Sequence, residues 1–328
     1  MKRSLPLIIL GLLGLTPLLG LSSYIMHILI IFIMWSVIGM SWNLLGGYCG
    51  QVSFGHAAFF GLGAYTAGIL YHHAGMSSWW GLPFSIVFVA GFSLVIGFIV
   101  LRLRGPYFAL ATLAMGEVLR VSAENLTWLT QGDMGIMLQQ RTWVGKVQYY
   151  YIILGIAALT FFLVKKVIES KLGYYFVAIR EDQDAAESLG INTTFYKTIA
   201  LCLSAVLTGV AGAFYTNYMG YIDPKVVFAL HDISIVTIMV VMVGGVATYW
   251  GPAVGAVIMI LLAEVVRSIP KLGAAHHTLF GVLLIVIIIF LPNGITGDFG
   301  RLKKMFGLRN GADVDKLKRL LGFGRSSS

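Results

Sequence analysis

The sequence predicts an all-α integral membrane protein, a polytopic bundle of about ten transmembrane helices, and three observations predict it. Only 11% of the 328 residues are charged, 58% are hydrophobic, and the mean hydropathy is +0.86. Soluble domains carry about 25% charged residues, so a water-soluble fold of this size could not cover its own surface. Residues 4–101 form 98 successive positions without Asp, Glu, Lys or Arg. An α-helix needs about 20 apolar residues to cross the hydrocarbon core, so that block alone holds about four crossings. Finally, Gly, Pro and charge punctuate the whole chain into ten apolar segments.

Those segments are approximately 5–21, 24–45, 53–71, 82–101, 106–121, 149–164, 198–218, 233–248, 252–266 and 278–292. Lys2 and Arg3 ahead of the first apolar run resemble a signal peptide. The run lacks a small-x-small cleavage site and leads straight into a second apolar segment, so it reads as an uncleaved first helix. Several segments are short or rich in Gly and Pro, which leaves room for a tilted or re-entrant piece. Broken helices at membrane depth are tolerated only where they are buried in protein or line a cavity. With both termini cytoplasmic, 17 Lys and Arg fall inside and six outside, the bias that the positive-inside rule requires.

Two connections stand out by length: an outer one over 122–148 and an inner, strongly charged one over about 165–197. No linker or low-complexity tract divides the chain. It therefore reads as one membrane domain (1–300) followed by a basic cytoplasmic tail (301–328). In the tail, Val314, Leu317 and Leu321 share a helical face, which suits either an interfacial basic helix on membrane lipid or a disordered tail. The formal charge of +9 comes from chain ends and loops with no basic stripe interleaved with aromatics, so nucleic-acid binding is excluded. Cys49 and Cys202 sit in apolar stretches as small hydrophobes and imply no disulfide or metal framework.

In the inner loop, Leu172, Phe176 and Ile179 fall on one apolar helical face, followed by Arg180-Glu181-Asp182-Gln183-Asp184-Ala185-Ala186-Glu187-Ser188-Leu189-Gly190. Gly190 suits the left-handed position that ends a helix, and Asn192 or Thr193 suits the cap of the next one. The loop is thus expected to form a short amphipathic helix across the cytoplasmic mouth. A second block, 47–68, places Gln51, Ser53 and His56 at the membrane boundary. Small residues follow four apart (Ala57/Gly61, Gly63/Ala67, Ala64/Gly68) and let helix backbones approach closely. Asn43, Gln51, Ser53, His56, Gly61, Tyr65 and Glu117 are candidates for the translocation pathway or for helix packing. Glu117 lies three before Arg120, and Glu264 three before Arg267, the spacing of helix-surface ion pairs. His72-His73 and His276-His277 fall in outer loops, and neighbours on a chain do not share a helical face, so neither makes a metal site.

Asp184-Ala185-Ala186-xxx-Gly190 is similar to the Glu-Ala-Ala-xxx-Gly signature of ABC-importer permeases, with Asp in place of Glu. The Ile-x-Leu-Pro that often follows is missing, which fits a divergent branch. The block Gly47-Tyr48-Cys49-Gly50-Gln51-Val52-Ser53-Phe54-Gly55-His56-Ala57-Ala58-Phe59-Phe60-Gly61-Leu62-Gly63-Ala64-Tyr65-Thr66-Ala67-Gly68 resembles branched-chain amino-acid permeases of the LivM type. Residues 103–120, the run Gly244-Gly245-Val246-Ala247-Thr248-Tyr249-Trp250-Gly251-Pro252, and Leu291-Pro292-Asn293-Gly294-Ile295 are similar to further blocks of that family. The family usually has Thr-Gly-Gly in the long outer loop, where Thr130-Gln131-Gly132 stands here.

The resemblance implies a non-catalytic permease subunit of an importer in the bacterial or archaeal cytoplasmic membrane. Its inner loop would couple to the ATPase through Arg180, Glu181, Asp182, Asp184, Ala185, Ala186 and Gly190. Its implied partners are a second homologous permease, two ATP-binding-cassette ATPases and an extracytoplasmic substrate-binding protein. The chain itself would bind no cofactor, ATP and magnesium being used by the ATPases; no Gly-x-x-x-x-Gly-Lys-[Ser/Thr] occurs in it. Leucine, isoleucine and valine are the implied substrates, with urea, short-chain amides or other amino acids as the alternative. An ion-coupled secondary transporter is the rival reading. Its usual sign is a midplane carboxylate, which the longest uncharged block lacks. No motif of a membrane-embedded enzyme is present.

Overall fold

The structure, a computed structural model, describes residues 5–138, 145–267, 281–282, 285, 289 and 294–297. Helix α1 (Leu5–Leu15) runs into a 3-10 turn, Thr16–Leu19, closed by Gly20. Helix α2 (Ser23–Trp42) is capped by the Ser22 hydroxyl and continues as a π-turn, Asn43–Tyr48. Next come α3 (His56–Ala74), α4 (Gly81–Val100), α5 (Pro106–Asn125) and α6 (Lys146–Ile168). The charged loop holds α7 (Lys171–Glu181) and α8 (Gln183–Ser188), and α9 (Thr193–Met219) follows. A short helix, Pro224–Val227, and a π-turn, Leu230–Ile235, lead into α10 (Val236–Gly244), which precedes α11 (Gly251–Arg267).

Among the described residues, five stretches are long and apolar enough to cross a membrane: Ser23–Tyr48, Ser78–Val100, Lys146–Ile168, Thr193–Met219 and Pro224–Gly244. Gly251–Val266 and Leu10–Leu19 are apolar but shorter. Helices α3 and α5 have 19 and 20 residues, but α3 carries three His and two Tyr, and α5 carries Glu117, Arg120 and Glu124. Most of the tenth expected segment, the basic tail, His276, His277, residues 291–293 and the side chain of Arg267 lie outside the described residues.

In lipid the apolar effect does little to hold helices together, and close van der Waals packing does more. Here α9 packs on α3 and α4, while α2 packs on α6 and α11. A Cβ on Gly63 would fall on the Gly209 carbonyl of α9, and one on Gly212 would fall on the Phe60 carbonyl of α3. Thr216 adds an inter-helix hydrogen bond to the Ala64 carbonyl at 3.0 Å. Helix α4 instead turns Val87, Phe88, Leu94, Val95, Phe98 and Ile99 outward, a lipid-facing band. At its end the Arg102 guanidinium lies 4.6 Å from the Phe98 ring centroid.

Several expectations change. The small-residue face of α3 meets a helix backbone at Gly63, whereas Gly61 meets the Phe228 ring. His72 and His73 lie in the last turn of α3 rather than in a loop. Helix α9 starts five residues earlier than expected, so Lys197 is a buried helical residue. The 122–148 connection is partly structured: β1 (Ile136–Met137) pairs antiparallel with β2 (Tyr221–Ile222), with Ile136 opposite Ile222, both buried. The eighth expected segment, 233–248, overlaps the interrupted span Pro224–Gly244, which starts earlier and ends four residues sooner.

Candidate functional site

The charged loop forms two short helices rather than the single amphipathic helix expected. Asp182 breaks the run in extended geometry, and its carboxylate accepts from the Asp184 and Ala185 amides at 2.9 and 3.0 Å, which caps α8. The apolar face of α7 packs inward through Phe176 and Ile179. Helix α8 ends in a Schellman motif: the Gly190 amide donates to Glu187 and the Ile191 amide to Ala186. Gly190 takes φ 85° there, the left-handed role expected of it. Asn192 then caps α9 through the Phe195 amide, at 3.0 Å.

Two ties fix this loop to the helices. Arg180 donates to the Gly47 carbonyl at 3.3 Å and pairs with Glu181. Arg104, between α4 and α5, pairs with Asp184 at 2.6 Å and with Glu187 at 3.3 Å. Glu187 also accepts from Gln183 at 2.8 Å and from the Thr193 hydroxyl. Those two hydrogen bonds, with Arg104 behind them, hold its carboxyl below the usual range. Ala186 is buried, while Asp184, Ala185 and Leu189 face outward.

Around the loop end of α3, the candidate polar residues bond to neighbouring backbone and side chains. Ser53 accepts from the Gly55 amide at 3.1 Å, and its carbonyl accepts from the Trp42 indole at 2.8 Å. His56 is fully buried, with Nε2 2.7 Å from the Ser204 hydroxyl, which donates on to the Ser41 carbonyl. Gln51 is half-buried, and its backbone N–H donates to the Leu45 carbonyl at 3.0 Å. Asn43 is buried and latches the 244–252 turn, accepting from the Ala247 amide at 2.8 Å and donating to the Thr248 carbonyl at 3.0 Å. Thr296 ties the same turn to the chain beyond α11 through the Gly244 carbonyl at 2.7 Å. Tyr65 is buried and stacks on Phe228, with ring centroids 5.7 Å apart. Glu117 is exposed and pairs with Arg120 as expected, but Arg120 also engages Glu124. Glu264 accepts from Tyr24 on α2; its expected partner Arg267 lies outside the described side chains.

Of these residues only Glu264 lines the cavity of about 390 Å³ at the opposite end of the bundle. Its walls include Met34, Trp35, Val236 and Met259 together with three ionisable residues, His27, Asp232 and Glu264. His27 hydrogen-bonds Tyr218. Sequence reasoning missed Asp232 because the apolar window began at Ile233. The signal that could have found it is the length of the apolar stretch on both sides of that Asp. A second cavity, of about 240 Å³, is lined by apolar side chains and Ser36 from α1, α2, α6 and α11.

The family described as "Branched-chain amino acid transport system / permease component" matches residues 24–291. The chain is 28% identical over 288 residues to the high-affinity branched-chain amino acid transport system permease protein LivM of Salmonella typhimurium, covering 79% of this chain and 67% of that protein. Identity to the Escherichia coli protein of the same description is 27% over 305 residues, covering 84% and 70%. It is 22% over 323 residues, covering 82% and 92%, to a probable LivM permease of Methanocaldococcus jannaschii. No solved structure matches. With four-fifths of its length matched and with apolar spans packed as described, the chain belongs to the permease component family of branched-chain amino acid transport systems and is a LivM-like, multi-pass membrane protein.

Proposed function

We propose that this chain is the permease subunit of an ATP-binding-cassette importer that carries leucine, isoleucine and valine across the cytoplasmic membrane of a bacterium or archaeon. About ten crossings place both termini inside, and residues 165–197 then face the cytoplasm. The chain performs no catalysis. It forms half of a pathway with a second homologous permease, receives substrate from an extracytoplasmic binding protein, and is driven by two ATPases that use ATP and magnesium. The observation that carries this reading is the loop. Helix α8 presents Asp184 and Ala185 outward, as does its cap residue Leu189, yet Arg104 and Arg180 bind the same loop to the helices behind it. A push on α8 therefore reaches the ends of α2, α4 and α5.

The test is import of labelled leucine into proteoliposomes holding the whole complex, with binding protein outside and ATP inside. Uptake should stop when the ATPase subunits are inactivated and should survive collapse of the proton gradient. Uptake that follows the gradient and ignores ATP would overturn the ABC reading in favour of an ion-coupled transporter. ATP-driven uptake of urea or acetamide in place of leucine would overturn the substrate.

A further inference from the structure

We propose that the cavity bounded by α2, α9, α10 and α11 is a substrate-selecting wall of the pathway, where Asp232 and Glu264 receive the ammonium group of an apolar amino acid. The proposal rests on the transport reading above. Asp232 lies within the apolar span Pro224–Gly244 and is exposed on the cavity wall. A carboxylate at membrane depth is costly to keep, and such residues mark solute or ion paths. The backbone is broken at the same place. The helix Pro224–Val227 stops at Phe228, and a π-turn over Leu230–Ile235 carries Asp232 before α10 resumes. Interrupted spans are how transporters build midplane sites, and π-turns are frequent at functional sites.

The remaining walls fit the remaining parts of the solute. Ile31 and Trp35 from α2, Val236 from α10, and Ile260 from α11 offer an apolar surface for a branched side chain. The other two ionisable groups are held from different helices, Glu264 by Tyr24 and His27 by Tyr218, so the polar wall is preorganised. A volume of about 390 Å³ is within the range of small-molecule sites. A neutral, compact solute such as urea would gain little from an apolar wall bearing carboxylates, whereas an amino acid uses both.

The experiment uses the complete transporter carrying Ala263→Cys, a cavity-lining position. Its thiol is reacted with a trimethylammonium methanethiosulfonate and with the sulfonate analogue, and background from Cys49 and Cys202 is subtracted with the parent complex. The cationic reagent should react at least tenfold faster than the anionic one after correction for their intrinsic reactivities. Leucine should slow both reagents, and 4-methylpentanoate, the same skeleton without the amine, should not. Asp232→Asn should collapse the charge preference and cut leucine import at least tenfold, and Asp232→Glu should recover part of it. No charge preference, equal protection by both solutes, or wild-type import by Asp232→Asn would each overturn the proposal. Labelling and protection are read on Ala263→Cys alone, so a misfolded Asp232 variant would not spoil the test. Leucine import by the parent complex separately decides the transport reading.

Discussion

The Arg180 guanidinium donates to the Gly47 carbonyl at 3.3 Å, and Gly50 is what permits that approach. Gly50 sits at φ 72°, and a Cβ there would stand 2.7 Å from the Arg180 Cγ and 3.1 Å from its Cα. The loop and the glycine-rich turn after α2, some 130 residues apart, thus form one joint. Gly50→Ala should both strain the backbone, by about 1–2 kcal/mol for a left-handed residue with a Cβ, and push Arg180 away. We expect ATP hydrolysis with little leucine import. Gly190→Val is the contrasting case, because no atom lies within 4 Å of its Cβ position and only conformational strain is added. An unchanged import-to-hydrolysis ratio for Gly50→Ala would refute the joint.

The two glycines of α3 should respond differently. At Gly63 the obstacle is the Gly209 backbone, which cannot swing aside, and at Gly61 it is the Phe228 ring, which can. Gly63→Ala is expected to cost more than the usual 1–3 kcal/mol of overpacking and to abolish monodisperse protein after detergent extraction. Gly61→Ala should lower that yield only in part. The reverse order would show that α3 and α9 are not locked backbone to backbone.

Gln131 has φ 63° without being a glycine, at the turn where relatives are expected to carry Gly. Its amide closes the helix Thr127–Thr130 by donating to Thr127 at 3.1 Å. Gln131→Gly should relieve strain and stabilise by about 0.5–1 kcal/mol after the entropy cost of Gly, raising Tm by about 1–3 °C. Gln131→Ala keeps the strain and should give no gain. Equal melting temperatures for both variants would remove strain as the explanation.

The membrane class, the Gly190 helix terminus and the cap at Asn192 were legible because each rests on local chemistry: absent charge, a left-handed glycine, a side-chain acceptor. The roles of Asn43 and Ser53 were not. Asn43 satisfies the amide of Ala247, some 200 positions away, and nothing in local spacing reveals that partner. Asp232 was overlooked for a related reason, since a window that stops at charge cannot see a broken span that carries a charge inside it. The same limit hid Arg104, whose carboxylate partners lie about 80 residues on.

Arg104 gives the last prediction. Its pairs with Asp184 and Glu187 are solvent-exposed, with side-chain accessibilities of 54% for Arg104 and 78% and 41% for the acids, so they add little to stability. Their use is geometric: they tie α8 to the α4–α5 turn. Arg104→Ala should leave the melting temperature almost unchanged, lower leucine import several-fold and spare ATP hydrolysis. Because Glu187 has a lowered folded pKa, its contribution is complete above the ordinary carboxylate value of 4.5 and is lost as pH falls through the lowered one. Amide-exchange protection of α8, corrected for intrinsic rates, should therefore stay flat from pH 8 to pH 5 and weaken only below about pH 4. Glu187→Gln should shrink that acid step, leaving what the Asp182 cap and the Arg104–Asp184 pair contribute. If protection of α8 already declines between pH 7 and pH 5, or if Arg104→Ala imports at the wild-type rate, the clasp does not carry motion between the loop and the helices.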